Sequence, residues 1–267
     1  MFEIEIGMDP NLLELGPYVL AWHGILTVIA ILAGAWIGRH GLRERKLDLP
    51  KLEPFTYWTI AGGIIGARLF YVFDHLDRFR DDPLEILALS EGGLAVYGAV
   101  IGGFATVAIL CAVYRYPFLK IIDSIAPGLA TAQAIGRIGC AINGDAWGSQ
   151  TDSPFAFIYT HPDALIPNRL LGVPTHPYPI YDMIMNLAIV AIIWPLRKKR
   201  LPAGAIFAIY SALYAATRFI ISYVREERVW FWGLQEAQVV AIVMLVASIA
   251  ALIWLLRQPR PETPAVA

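Results

Sequence analysis

The chain has 267 residues, of which 57% are hydrophobic and 16% charged, a composition apolar enough for a membrane protein with several spans. The formal net charge of −1, without a basic stripe or a nucleic-acid motif, gives no indication of a nucleic-acid partner. The two cysteines, Cys111 and Cys140, lie in apolar stretches and exclude a disulfide framework of the secreted type. The acidic start, MFEIEIGMDP, lacks a basic n-region, so no cleaved signal peptide is predicted.

Seven apolar segments follow one another along the chain, each close to the ~20 residues that cross a bilayer as a helix. They cover roughly residues 18–38, 55–73, 93–114, 120–142, 179–196, 203–224 and 234–256. We therefore predict an all-α integral membrane protein: a bundle of about seven transmembrane helices that forms a single domain over residues 1–267.

The distribution of basic residues between the connections predicts the orientation. Of the 21 Lys and Arg residues, 13 fall on one side of the predicted spans and 5 on the other. Cytoplasmic loops carry the excess of basic residues, so the N-terminus is expected outside and the C-terminus in the cytoplasm. The longest connection, residues 143–178, would then be a larger extracytoplasmic loop, and its length predicts a function or structure of its own.

Three arginines interrupt the apolar segments: Arg68, Arg137 and Arg218. A charge within a membrane helix costs several kcal/mol or more, so it is retained mainly beside a polar cavity or a charged partner. The planar fork of arginine suits phosphate and carboxylate groups. All three are expected roughly 10 Å inside the outer boundary, with His23, Tyr97 and Gln238 at a similar depth. We interpret this layer as a lipid-headgroup site; the alternative is that each arginine snorkels to the interface.

Glycines mark two places along the chain. Gly98 and Gly102 form a small-xxx-small pair that lets helices approach closely. The segment GRIGCAINGDAWG permits an irregular exit from the fourth span, with Asn143 and Asp145 facing the headgroup region.

No histidine has a second ligand at helical spacing, so no metal site is predicted. Cys140 is interpreted as a small buried residue rather than a nucleophile.

These motifs resemble, in order and over most of the chain, those of the phosphatidylglycerol–prolipoprotein diacylglyceryl transferases. The matching stretches are GPYVLAWHG, GGIIGARLFYVF, EGGLAVYGAVIGG, DSIAPGLATAQAIGRIGCAINGDAWG, HPYPIYD, RFIISYVRE and the region of Gln238. The resemblance implies seven spans in the bacterial cytoplasmic (inner) membrane, with the active site toward the outer leaflet.

The resemblance also implies the reaction. The lipobox cysteine of a prolipoprotein signal peptide attacks phosphatidylglycerol, a membrane lipid; a thioether forms and glycerol 1-phosphate leaves. Neither a metal nor a cofactor is implied. The catalytic residues expected from the match are Arg137, Arg218 and Tyr97, and the substrate-binding residues are Arg68, Asn143, Asp145, Gly98, His176, Tyr181 and Gln238.

The chain departs from the pattern of this family at several positions. Cys140 replaces an Asn of the signature, Asp145 replaces a Glu, Tyr97 stands in place of a His, and Ser222 stands in place of a Glu. The missing His leaves open a non-catalytic protein that binds anionic lipid headgroups. The intramembrane arginines with their polar layer also suit a transport-type membrane protein.

Overall fold

The computed structural model describes residues 2–16, 18–47, 49–80, 82–88, 93–227 and 229–258. Gly92 of the glycine motif, together with Arg228 and Arg260 of the basic-residue count, lies outside these ranges. Seven α-helices are described: α1 (Trp22–Glu44), α2 (Leu52–Asp74), α3 (Val96–Tyr114), α4 (Phe118–Asn143), α5 (Tyr178–Leu196), α6 (Ala205–Ile221) and α7 (Glu236–Arg257). Each predicted apolar segment coincides with one of them.

Six of these helices are long and apolar enough to cross a membrane, within the described part of the chain. The exception is α2, which has sufficient length but contains Arg68, several glycines and polar aromatic residues. The prediction of a helical membrane protein is therefore confirmed. The seventh span, the orientation of the termini and the single domain stay predictions.

Within the described ranges there are six short strands: β1 (Phe2–Ile6), β2 (Asn11–Leu15), β3 (Tyr18–Ala21), β4 (Phe155–Tyr159), β5 (Val229–Phe231) and β6 (Leu234–Gln235). They form three two-stranded pairs, β1–β4 parallel and the other two antiparallel. No strands are predicted from the sequence. The pairing of β1 with β4 joins distant parts of the chain, so no local pattern reveals it, and the other strands have only two to five residues.

The chain divides into two compact units. Residues 46–121 form one, which we call the α2–α3 unit; residues before 46 and after 121 form the other, which we call the main unit. In the α2–α3 unit the two helices cross at glycines. A Cβ on Gly98 would lie 2.3 Å from the carbonyl oxygen of Gly66, and one on Gly102 would lie 2.5 Å from that of Gly62. The close approach predicted from the small-xxx-small pair is thus observed.

In the main unit, α1 packs on α4 with similar closeness. A Cβ on Gly128 would lie 2.3 Å from the carbonyl oxygen of Gly34. Where α1 ends and α4 begins, the buried carboxylate of Asp123 accepts hydrogen bonds of 2.9 Å from the backbone N–H groups of Gly204 and Phe207, at the start of α6. Asp123 therefore caps a helix whose own N-cap, Gly204, has no side chain.

The long connection has a core of its own, as its length predicted. Phe157, Tyr159, Ile166 and Leu170 are buried together, and the Tyr159 hydroxyl donates to the carbonyl oxygen of Ala141 at 2.9 Å. Burial raises the pKa of Tyr159, so the phenol stays protonated and keeps donating. This contact fixes the connection to the last turn of α4, where the candidate site begins.

Candidate active site

Arg137 lies in α4 and faces the start of α5. Its Nε is 2.5 Å from Oδ2 of Asp182, and its Nη1 is 3.6 Å from Sγ of Cys140. Asp182 is buried and is held by Asn186, whose Nδ2 donates to Oδ1 at 2.9 Å. A carboxylate supported in this way fixes the direction of the arginine. It also compensates the burial of the charge, which alone would be costly.

The fully buried ring of Tyr178, at the start of α5, is surrounded by three guanidinium groups. Those of Arg137 and Arg218 lie 5.8 Å from the ring centroid, and that of Arg225 lies 4.9 Å away. Cations at this range are attracted by the face of an aromatic ring. Tyr178 therefore holds together three side chains whose charges repel one another.

Glu227 is the second carboxylate of this cluster. Its Oε1 lies 2.6 Å from Nη2 of Arg218 and 3.1 Å from Nη1 of Arg225. Arg218 also donates from Nη1 to the hydroxyl of Tyr178. Three arginines and two carboxylates leave one excess positive charge, which suits an anionic ligand. We call Arg137, Tyr178, Asp182, Arg218, Arg225 and Glu227 the arginine cluster.

Gln238, in the first turn of α7, supports this cluster indirectly. Its Oε1 accepts from the backbone N–H of Gln235 at 3.0 Å, and Nε2 of Gln235 donates to the carbonyl oxygen of Arg225 at 2.8 Å. Gln238 is buried. Gln238 therefore belongs to the N-terminal cap of α7 and is linked to Arg225 through Gln235. Its predicted contact with substrate stays a prediction.

Asn143 and Asp145 lie where α4 ends. Gly144 has φ +75°, a left-handed conformation that favours glycine, and its N–H bonds to the carbonyl oxygen of Cys140. The chain turns back there, so that Asp145, Cys140 and His23 of α1 come together. Asn143 is buried, and its carbonyl oxygen accepts from the N–H of Leu165.

His176 and Tyr181 flank the start of α5. Nδ1 of His176 is 3.5 Å from the hydroxyl of Tyr181. A Cβ on Gly148 would lie 2.6 Å from Cβ of His176 and 2.9 Å from the carbonyl oxygen of Val224, so only glycine fits between them. Burial lowers the pKa of His176. The imidazole is therefore neutral at pH 7 and able to accept a proton.

The remaining predicted residues, Arg68, Tyr97 and Gly98, belong to the α2–α3 unit. The buried Arg68 donates to backbone carbonyl oxygens of the α2–α3 connection: from Nε to Ile86 at 2.8 Å, from Nη1 to Gly93 at 3.1 Å, and from Nη2 to Glu85 at 2.5 Å and Ala88 at 3.3 Å. This arrangement makes Arg68 an organiser of that connection. Its predicted role in headgroup binding stays a prediction.

Tyr97 lies in the first turn of α3 with 44% of its surface exposed. Gly98, the next residue, contacts α2 through its backbone, as described above. Their predicted roles toward the substrate stay predictions.

Sequence reasoning missed four members of the arginine cluster: Tyr178, Asp182, Arg225 and Glu227. Tyr178 and Asp182 stand in the motif HPYPIYD, which carries the signal, although the residue predicted from that motif is Tyr181. Arg225 was counted only as a charge of an outer connection. Nothing in the local sequence reveals that Glu227 pairs with two arginines.

The fold and this cluster define a multi-pass helical membrane protein with a net-positive polar site between its helix ends. The family of prolipoprotein diacylglyceryl transferases matches residues 10–254. The chain belongs to this family.

Relatives that carry the family's name align with this chain over nearly its full length. The chain is 34% identical to the phosphatidylglycerol–prolipoprotein diacylglyceryl transferase of Symbiobacterium thermophilum, covering 94% of each chain. It is 31% identical to the protein of that name from Nostoc sp., covering 94% of this chain and 91% of the relative. It is 32% identical to that of Gloeobacter violaceus, covering 96% of each.

Proposed function

We propose that this protein transfers the diacylglyceryl group of phosphatidylglycerol to the lipobox cysteine of prolipoproteins. A bond forms between the cysteine sulfur and the glyceryl carbon, and the bond from that carbon to the phosphate oxygen breaks. The thiol proton passes to a base, and glycerol 1-phosphate leaves. The observation that carries this proposal is the arginine cluster, which has one more arginine than carboxylates.

The leaving phosphate gains charge as the carbon–oxygen bond breaks. Arg137 and Arg218 are already directed by Asp182 and Glu227, so they need little reorganisation when that charge develops. Donors oriented in advance within a poorly solvated site are the main source of such stabilisation. A guanidinium has several N–H donors in a fixed fork, and each arginine can keep its carboxylate while it donates to phosphate.

The acceptor thiol must lose its proton, because the thiolate is the nucleophile. Tyr97 is the base that the match to the family indicates, because it stands where well-known members have an essential His. A phenol has an unperturbed pKa near ~10, so it accepts a proton poorly at neutral pH. His176, neutral at pH 7, is the second candidate, and its contact with Tyr181 orients the ring.

The other residues are assigned to the substrates. From the match to the family, we assign the binding of phosphatidylglycerol and the signal peptide to Arg68, Asn143, Asp145, Gly98, His176, Tyr181 and Gln238. We infer a location in the bacterial cytoplasmic (inner) membrane from the match to the family, and an outside N-terminus from the distribution of basic residues. The site then opens toward the outer leaflet, where the lipobox cysteine of a prolipoprotein arrives.

Complementation tests this function directly. A strain depleted of its own transferase should recover growth and diacylglyceryl-modified lipoprotein when it expresses this chain. Purified protein in vesicles of phosphatidylglycerol should attach the lipid to a lipobox peptide, with glycerol 1-phosphate formed in equal amount.

Two alternatives predict different results in the same experiment. A non-catalytic lipid-binding protein would bind phosphatidylglycerol vesicles without forming thioether. A transport-type protein would move lipid between leaflets without releasing glycerol 1-phosphate. Either result, with the protein folded, would overturn the proposed function.

A further inference from the structure

His23, Cys140 and Asp145 bring three metal-ligating atoms together next to the arginine cluster. The imidazole nitrogen, the thiol sulfur and a carboxylate oxygen all lie within 4.8 Å of one another, and Sγ of Cys140 is 3.9 Å from Nδ1 of His23. We propose that these residues bind a thiophilic divalent metal ion of the zinc class.

The fold holds these residues together from three directions. His23 is in the first turn of α1, Cys140 is in the last turn of α4, and Asp145 follows the left-handed turn at Gly144. A Cβ on Gly139 would lie 3.1 Å from both Cα and Nδ1 of His23. Glycine at that position therefore lets the imidazole approach the thiol.

The distance between sulfur and nitrogen fits zinc after a small contraction, whereas the carboxylate of Asp145 has to move closer by up to about 1 Å. Bonds of about 2.3 Å to sulfur and about 2.0–2.1 Å to nitrogen place these two atoms roughly 3.5 Å apart around a tetrahedral ion. The observed 3.9 Å differs by a few tenths of an ångström, within the reach of side-chain rotation. Three protein ligands leave the fourth position open, as in zinc sites that bind a water or a substrate.

The ligand atoms themselves can compensate the charge of a bound cation, next to an arginine cluster that carries one excess positive charge. Oδ1 of Asp145 is buried and has no hydrogen-bond partner among the described residues. A bound divalent ion would be balanced by the Asp145 carboxylate and a Cys140 thiolate. Nη1 of Arg137 lies 3.6 Å from Sγ; its positive charge lowers the cost of a thiolate there and at the same time opposes a cation. The soft sulfur and the imidazole together select zinc, cobalt or cadmium over magnesium or calcium.

A second group of possible ligands, Asp9, His161 and Asp163, is more exposed and contains no thiol. Two of its members are exposed carboxylates, and sulfur is absent from it. We propose no site there. The sulfur of Cys140 stands where the family signature has Asn, so the thiolate ligand is a feature of this chain.

Cobalt is the probe, because a cobalt–thiolate bond gives a charge-transfer absorption that other ligands do not. Full-length protein without an affinity tag is purified in detergent, stripped with a chelator and titrated with Co²⁺, then with Zn²⁺ as competitor. We expect one Co²⁺ per chain, the thiolate band, and loss of that band when Zn²⁺ displaces the cobalt. Absence of the band in folded protein would overturn the proposal.

Variants separate the ligands from the rest of the chain. Cys140→Ser should lose the band, and Asp145→Asn should weaken binding at least ~10-fold, since even changes to residues behind a ligand cost 10–100-fold. Cys111→Ser is the matched control: the second buried cysteine lies in α3, and the variant should keep the band. A band that survives Cys140→Ser or disappears in Cys111→Ser, or unchanged affinity in Asp145→Asn, contradicts the assignment.

A measurement on the unaltered protein covers the case in which Cys140→Ser does not fold. X-ray absorption of the Zn²⁺-loaded protein should show one sulfur neighbour at about 2.3 Å and nitrogen or oxygen neighbours at about 2.0–2.2 Å. Neighbours of nitrogen and oxygen alone would contradict the site. Both readouts are independent of transfer activity, so failure of metal binding and failure of the proposed function remain distinguishable.

Discussion

Arg218 donates a hydrogen bond to the hydroxyl of Tyr178, and the same guanidinium lies 5.8 Å from the centroid of that tyrosine ring. The guanidinium of Arg137, in α4, lies at the same distance of 5.8 Å from the ring centroid. One side chain at the start of α5 therefore sets the spacing between the two arginines to which we assign the phosphate. Because of this, Tyr178 is expected to influence transfer although it is not assigned to the substrate.

Replacing Tyr178 with Phe removes the hydroxyl and keeps the ring. We expect the transfer rate to fall roughly 10–150-fold, because losing a hydrogen bond to a charged group costs about 1.5–3 kcal/mol. Tyr178→Leu should lose more, since the attraction between ring and cations is also removed. Rates are measured with a lipobox peptide at matched expression. Equal rates for Phe, Leu and the parent residue would show that Tyr178 does not set the arginine spacing.

Tyr97 is tested by its dependence on pH. If its hydroxyl accepts the thiol proton, Tyr97→Phe should lose most activity while the fold is retained. Tyr97→His should keep or raise activity, because imidazole with a pKa near ~6.5 is the better base at neutral pH. The parent enzyme should gain activity toward alkaline pH, and the His variant should level off near neutrality. A fully active Phe variant would eliminate Tyr97 and direct attention to His176.

His176 predicts a loss of stability in acid. Burial lowers its pKa in the folded protein, so the unfolded chain binds the proton first as the pH falls. The contribution of neutral His176 to the free energy of unfolding is fully present above the pKa of the unfolded chain, near ~6.5. It is lost as the pH falls through the lower pKa of the folded protein. His176→Gln should therefore show a smaller fall in melting temperature between about pH 7 and pH 5. An identical pH dependence in both proteins would exclude this role.

Gly98 and Gly103 form a matched pair of glycines on α3. A Cβ on Gly98 would lie 2.3 Å from a backbone oxygen of α2, whereas one on Gly103 would have its nearest contact at 3.9 Å. Gly98→Ala should destabilise the protein by about 1–3 kcal/mol through overpacking, and Gly103→Ala by much less. Thermal unfolding in detergent measures both, and similar melting temperatures for the two variants would contradict the close packing of α2 and α3.

Site residues could be predicted from the sequence where a charged side chain interrupts an apolar segment. Arg137 and Arg218 stand out because each places a charge in an apolar segment, where its cost demands a partner. The partner itself could not be read from the sequence, because the ion pair of Arg137 with Asp182 joins two helices and depends on how they pack. Tyr178 was missed because a tyrosine at the start of a span is ordinary at a membrane interface.

The fold could likewise be predicted where it depends on local properties of the sequence, and not where it depends on contacts between distant segments. Long apolar segments predict helices reliably, since their length and composition are local properties. The strand pair β1–β4 and the approach of His23 to Cys140 depend on contacts between distant parts of the chain. Spacing along a helix cannot reveal a set of ligands from distant segments, so the sequence predicts no metal site.

The central claim is that Arg137 and Arg218 stabilise the phosphate that leaves during transfer. The most direct test is the initial rate of thioether formation for Arg137→Ala and Arg218→Ala in phosphatidylglycerol vesicles, with Arg80→Ala as the control. Arg80 is exposed and paired with the exposed Asp77. We predict at least a ~100-fold loss for each cluster variant, by analogy with removal of one oxyanion donor, partial recovery with Lys, and an unchanged rate for Arg80→Ala. Near-normal rates for both Ala variants would contradict the account.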